Sequence, residues 1–285
     1  MTISANNSRK VLLYIVYGED QIYYDGAIFS FLTFKYWQSE NNIEFVVMTE
    51  MPEKFSTYPF TVIKMSEAQK NDWSLDGKYH FRIKNRGLAF VMDRLQLEES
   101  DRILFLDTDT YFKKSPLQLF DLIQFDQALL YLNEGLIYKR KRFSIYVENL
   151  EGISITTGKG DYKLSKKSAL WGSLMIGLMG NMRQSLDWAD ELMLQLFDLV
   201  PAHTIEEFSL SEILLQQFKL VEGKHFIRLY STSRKKEYAR NILSNFFKDN
   251  SSLSLNDQVK LAQTVKIKRP LFMVLKQRFL RLFSN

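Results

Sequence analysis

Short apolar runs alternating with helix-period segments constrain this chain more than any other feature. Val11 to Tyr17 is a continuous apolar run closed by Gly18-Glu19-Asp20, and Ile43 to Met48 and Arg102 to Leu106 repeat the pattern, while Phe60 to Met65 is a further element of strand type. Runs this short, without polar alternation, are strands buried on both faces, as in parallel sheets. Between them, Tyr24 to Trp37 places Ile28, Phe31, Leu32 and Tyr36 at helical spacing, and Phe81 to Leu95 places Ile83, Leu88, Val91, Met92 and Leu95 on one side. This β-α-β-β-α-β order predicts an α/β fold, a mostly parallel central sheet flanked by helices. In such sheets ligands gather outside the carboxyl ends of the strands, where Tyr17, Gly18 and Asp107 fall.

Downstream, Gln127 to Leu132 reads as a strand and Leu170 to Met179 re-enters the core. The stretch between, Asn133 to Lys167, lacks periodicity and carries Lys139-Arg140-Lys141-Arg142, then Gly152, Gly158 and Gly160, and Lys163, Lys166 and Lys167. A long irregular segment of this kind is a functional loop or a disordered one. Leu186 to Leu199 and Thr204 to Phe218 read as helices, the second with Thr204 as cap and Glu207 as capping-box partner. His225 to Tyr230 is expected as a strand, followed by a basic turn, Ser233-Arg234-Lys235-Lys236.

Composition narrows the chemistry. The 285 residues include no cysteine, which excludes disulfides and thiolate metal sites. The three histidines, His80, His203 and His225, are far apart, so any metal falls mainly to carboxylates. Met1 to Lys10 has no apolar signal-peptide core, and no apolar run approaches the roughly 20 residues that span a bilayer. A cytoplasmic location is expected.

Within Arg102-Ile-Leu-Phe-Leu-Asp107-Thr-Asp109, the apolar strand draws the first carboxylate towards the interior. A buried carboxylate without a partner costs several kcal/mol and wants a cation or strong hydrogen bonds. Two carboxylates spaced i, i+2 at a strand end can both face one Mg²⁺ or Mn²⁺, which takes oxygen ligands and shares them with substrate phosphates. The plainer alternative is an Asp that caps the next turn while its partner is solvated.

The run from Arg82 to Leu119, RIKNRGLAFVMDRLQLEESDRILFLDTDTYFKKSPLQL, resembles the nucleotide-sugar transferases of the GT-A fold, in particular family 8 and related nucleotide-diphospho-sugar transferases. The resemblance extends in element order over residues 11 to 240 and implies a Rossmann-like GT-A domain. It implies that Asp107 and Asp109 hold a divalent ion, Mn²⁺ or Mg²⁺, and through it the diphosphate of a nucleotide-diphosphate sugar such as a UDP-sugar. It places Tyr17 and Gly18 at the nucleobase, and Arg82 and Lys84 near the nucleotide. Trp171-Gly-Ser-Leu-Met-Ile-Gly177 is similar to the family's Trp-Asn-Ser-Gly-Val-Ile-Gly segment lining the sugar site, with Gly172 in place of Asn and Leu174 in place of Gly. Glu206 matches an acidic segment beneath the sugar and is the candidate catalytic residue, orienting donor or acceptor. The family's third metal ligand, a His near Leu229-Tyr230, has no counterpart; His225 lies at the start of that strand. Arg234, Lys235 and Lys236 lie just beyond and either neutralise a diphosphate leaving group or form a solvated turn.

The tail, Lys266 to Asn285, mixes six basic residues with leucines and phenylalanines and has no acid. It is either a helix packed on the domain or one lying in an anionic membrane surface, and its composition favours the second. Nucleic acid is not expected as a partner, because no aromatic-rich binding motif accompanies the charge. The expected organisation is a GT-A-like domain, 1–250, and a basic amphipathic C-terminal helical extension, 251–285. The expected function is transfer of a hexose, with retention implied by the resemblance, to a glycan or lipid-linked acceptor in polysaccharide biosynthesis, peripheral to the inner face of the membrane. The alternatives are a nucleotidyltransferase, whose Gly-rich basic signature after the first strand is lacking, and a catalytically silent membrane-associated binding module.

Overall fold

The computed structural model describes residues 8–38 and 42–268. The first half alternates as the apolar runs require: β1 (Lys10–Val16), α1 (Gln21–Lys35), β2 (Glu44–Thr49), β3 (Thr61–Lys64), α2 (Glu67–Trp73), α3 (Arg82–Arg94) and β4 (Arg102–Leu106). The second half adds β5 (Thr110–Phe112), β6 (Gln127–Leu136), α4 (Ser144–Leu150), β7 (Ser154–Thr157), β8 (Gly160–Lys163) and β9 (Ala169–Met179). It closes with α5 (Arg183–Leu199), α6 (Ile205–Leu215), β10 (Lys219–Glu222), β11 (Ile227–Leu229), α7 (Ser233–Asn250) and α8 (Leu255–Thr264).

Seven strands form the central sheet in the order β10-β6-β9-β4-β1-β2-β3. β9 alone runs against its neighbours, pairing antiparallel with both β4 and β6. The mostly parallel sheet flanked by helices is the Rossmann-like GT-A arrangement expected from the sequence. Period-2 alternation divides each central strand between two cores: Val11, Leu13 and Ile15 face α3, α5 and α6, while Leu12, Tyr14 and Val16 face α1, α7 and α8. Each buried aliphatic side chain among them contributes roughly 1.5–3 kcal/mol of transfer free energy.

Four expectations need correction. The first helix begins at Gln21, three residues before Tyr24, because Asp20 caps it by accepting from the Ile22 N–H. The segment 133–167 is not irregular: β6 continues to Leu136, and α4 and the β7–β8 hairpin follow. Thr204 makes no side-chain cap bond; its hydroxyl pairs with Tyr146 instead, 2.8 Å away. The basic residues after Ser233 form the first turn of α7 rather than a loop. Of the C-terminal extension, α8 is tied to the domain through Gln263 to the Thr33 carbonyl and Lys113 to the Val265 carbonyl. The tail helix expected beyond Pro270 lies outside the described residues.

Candidate active site

The carboxyl ends of β1 and β4 open on a cavity of about 620 Å³. Tyr17, Gly18, Lys84, Asp107, Asp109, Glu206 and Lys236 line it, from seven positions spread over 220 residues of chain. The Asp-Thr-Asp turn at the end of β4 is held from below by α1. Gly26 lets the helix approach so closely that a Cβ there would collide with the Thr108 carbonyl. Tyr230 donates to that carbonyl at 3.0 Å, and Thr110 donates to the Asp107 carbonyl at 2.7 Å while lying 3.3 Å from Ser30. The turn is therefore built on a rigid floor, as a preorganised site requires.

Asp109 is 8% exposed and keeps Oδ1 buried with no hydrogen bond among the described residues. Its Oδ2 lies 3.4 Å from Lys236 Nζ, which α7 delivers. Burial pushes the Asp107 carboxyl upward; Lys84 opposes this, and the neighbouring Asp109 and Glu207 add to it. A buried anion with an unfilled oxygen is what a hard cation compensates, so the pair fits a divalent ion that takes its remaining ligands from phosphate and water. Among the described residues no group of three or more His, Asp or Glu converges as a complete cage.

Across the cavity, α6 begins with Glu206 and Glu207. Glu206 is 1% exposed, its Oε1 has no partner among the described residues, and burial pushes its carboxyl up to about 7 against the pull of Lys84. Lys84 reaches the Ser173 hydroxyl at 2.7 Å and Glu206 Oε2 at 3.5 Å. Burial works against its charge, but Asp107, Glu206 and Glu207 outweigh that and raise its pKa. The Ser173 hydroxyl lies 3.2 Å from both glutamates. Tyr79 fixes the turn by donating to the His203 carbonyl and accepting from the Glu206 N–H at 3.0 Å, a cap supplied from outside the helix. At the other end, Gly18 adopts φ +85° and donates to Glu50, which Lys70 also meets, and Tyr17 donates to the His80 carbonyl.

Four of the residues expected at the nucleotide sugar stand elsewhere. Arg82 points away from the cavity into a buried bidentate pair with Asp190 of α5, at 2.7 and 2.8 Å, and its third donor holds the Asp72 carbonyl. Trp171 packs into the core; Ser173, two residues on, reaches the cavity's lysine instead. Arg234 and Lys235 are exposed and do not line the cavity, whereas Lys236 does. Glu207, Tyr23, Lys70, His80 and His203 line it without having been singled out as site residues. His80 and His203 are 123 residues apart, and only the fold brings them to one rim.

No family model matches the chain, and no curated protein matches it. Among solved structures the chain is similar to the apo form of WbbM, described as a bifunctional glycosyltransferase, at 10% identity and a TM-score of 0.44. The match covers 78% of this chain and 40% of that one, so the chain spans well under half the length of that protein.

Proposed function

We propose that the chain is a metal-dependent glycosyltransferase that moves a hexose from a nucleotide-diphosphate sugar, of the UDP-sugar type, to a glycan or lipid-linked acceptor. The observation that carries the reading is the Asp107–Asp109 pair at the end of β4, on the wall of a cavity of about 620 Å³, with one buried carboxylate oxygen unfilled among the described residues. A divalent ion held there would supply Lewis-acid stabilisation of the departing diphosphate. Tyr17 and Gly18 border the end of the cavity assigned to the base. Lys236, beside Asp109, meets the diphosphate charge, and Lys84 balances the carboxylates on both sides of the reacting bond. Glu206, whose Oε2 meets Lys84 and Ser173 and whose Oε1 has no partner among the described residues, orients a hydroxyl of the donor sugar or acceptor.

The test is nucleotide diphosphate release from a panel of nucleotide sugars with Mn²⁺. Release that falls by about a thousandfold in Asp109→Ala is expected; release that persists unchanged in that variant sinks the metal assignment.

One observation favours a second reading. Lys236 already places a cation 3.4 Å from Asp109 Oδ2, and Lys84 one 3.5 Å from Glu206, so a cavity that binds diphosphate through Lys84 and Lys236 without catalysis fits the same charges. That silent module would be protected from thermal unfolding by a nucleoside diphosphate equally with and without Mn²⁺, and would release no product.

A further inference from the structure

Residues 137–142 and 163–168 meet at one end of the sheet, beyond the paired termini of β6 and β9. Leu136 pairs with Ala169 across β6 and β9, and the Ile137 N–H donates to the Ser168 carbonyl at 2.9 Å. A tight turn, in which Ser168 N–H donates to the Ser165 carbonyl, presents Lys166 and Lys167 outward. Lys139, Arg140 and Lys141 emerge beside it from the 3₁₀ segments after β6, and Lys163 ends β8. All six are exposed, and none has a carboxylate at ion-pair distance among the described residues; Arg142, next to them, is held by Glu134 at 2.8 Å. Self-repulsion of six uncompensated cations costs stability unless an anionic partner relieves it.

We propose that this end is a docking surface for an anionic lipid bilayer. The cations line no part of the cavity, so they are not a donor subsite. They stand with Tyr138 and Ile153, each 39% exposed, which supplies the mixture of ammonium groups and interfacial apolar side chains that headgroups attract. The surface also stands at the cavity end of the sheet. β6 runs parallel to β4, and Ser173, bonded to the cavity's Lys84, is four residues along β9 from Ala169, roughly 13 Å at the rise of a strand. Docking by this end brings the cavity within reach of a lipid-linked acceptor. Membrane contact through the C-terminal tail is a separate matter, because these six residues belong to the folded domain. No helix of the described residues is long and apolar enough to cross a membrane.

Flotation of the full chain with phosphatidylcholine vesicles, with and without phosphatidylserine, tests the inference, and no donor is needed, so its failure and that of the transfer reading are distinguishable. The chain is expected to float only with phosphatidylserine. The variant Lys139→Glu/Lys141→Glu/Lys166→Glu/Lys167→Glu is expected to bind more weakly by on the order of tenfold or more, with its melting temperature and its protection by nucleoside diphosphate kept. Equal flotation of variant and parent, or equal flotation without phosphatidylserine, overturns the proposal. Failure of the parent to float also overturns it, and retention on dextran sulfate in that case assigns the surface to an acidic glycan.

Discussion

Glu206 and Glu212 lie six residues apart on α6, 1% and 5% exposed, and burial pushes both carboxyls upward. They differ in what surrounds them. Glu212 accepts from Ser168 and Tyr162 on Oε2, at 2.6 and 3.0 Å, and from the Ala169 N–H on Oε1 at 2.9 Å. Both of its oxygens are committed to holding the 162–169 segment on the helix. Glu206 keeps Oε1 without a partner among the described residues and lines a cavity beside a lysine. The same residue type, on one helix and at similar burial, is structural where its acceptors are filled and available for chemistry where one is left open.

The comparison breaks most visibly at Glu206. Glu206→Gln should lower transfer by roughly a hundredfold to a thousandfold and leave the melting temperature unchanged or higher, since burial penalises the charged carboxylate that Gln replaces. A large loss of stability in that variant would place Glu206 with Glu212. The converse substitution, Glu212→Ala, orphans three donors and should cost about 3 kcal/mol in denaturant unfolding, with turnover per folded molecule close to the parent's. Turnover that collapses without a stability change would reverse the assignment of the two residues.

A smaller effect sharpens the contrast at the other wall of the cavity. Asp20 caps α1 and is gripped by Arg240 of α7, the helix that brings Lys236 to Asp109. The Arg240 hydrogen bonds hold the Asp20 carboxyl below its usual range. Because the folded pKa is depressed, this contribution is present at pH values above the ordinary carboxylate range and is lost as the pH falls through the lowered value. Asp20→Ala should cost about 1 kcal/mol at neutral pH, and the difference from the parent should shrink as unfolding is measured at progressively lower pH.

Much of the fold was legible because β1, β2 and β4 are continuous apolar runs, and a run of that kind has few places to go other than the middle of a sheet. The Asp pair was legible for the same reason, since it ends such a run. The β7–β8 hairpin was not: Ser154–Thr157 and Gly160–Lys163 bury one residue in two at most, and their polar faces read as loop. The start of α7 was hidden by its charge, since Arg234, Lys235 and Lys236 look like a solvated turn until Lys236 is seen to meet Asp109. Arg82 and Lys84 were grouped by their charge, yet two residues on a helix differ by about 200° in direction, so only one of them can face the cavity. Lys84 does, and Arg82 faces Asp190. Glu212 carried no sequence signal, because its three donors come from the hairpin and from the start of β9.

The central claim is that Asp107 and Asp109 join a divalent ion to a nucleoside diphosphate. Titration calorimetry of UDP into the chain, with and without Mn²⁺, measures that linkage directly. The account predicts that Mn²⁺ tightens UDP binding by on the order of tenfold or more in the parent and has no effect in Asp109→Asn. UDP affinity that is the same with and without Mn²⁺ in the parent would contradict it.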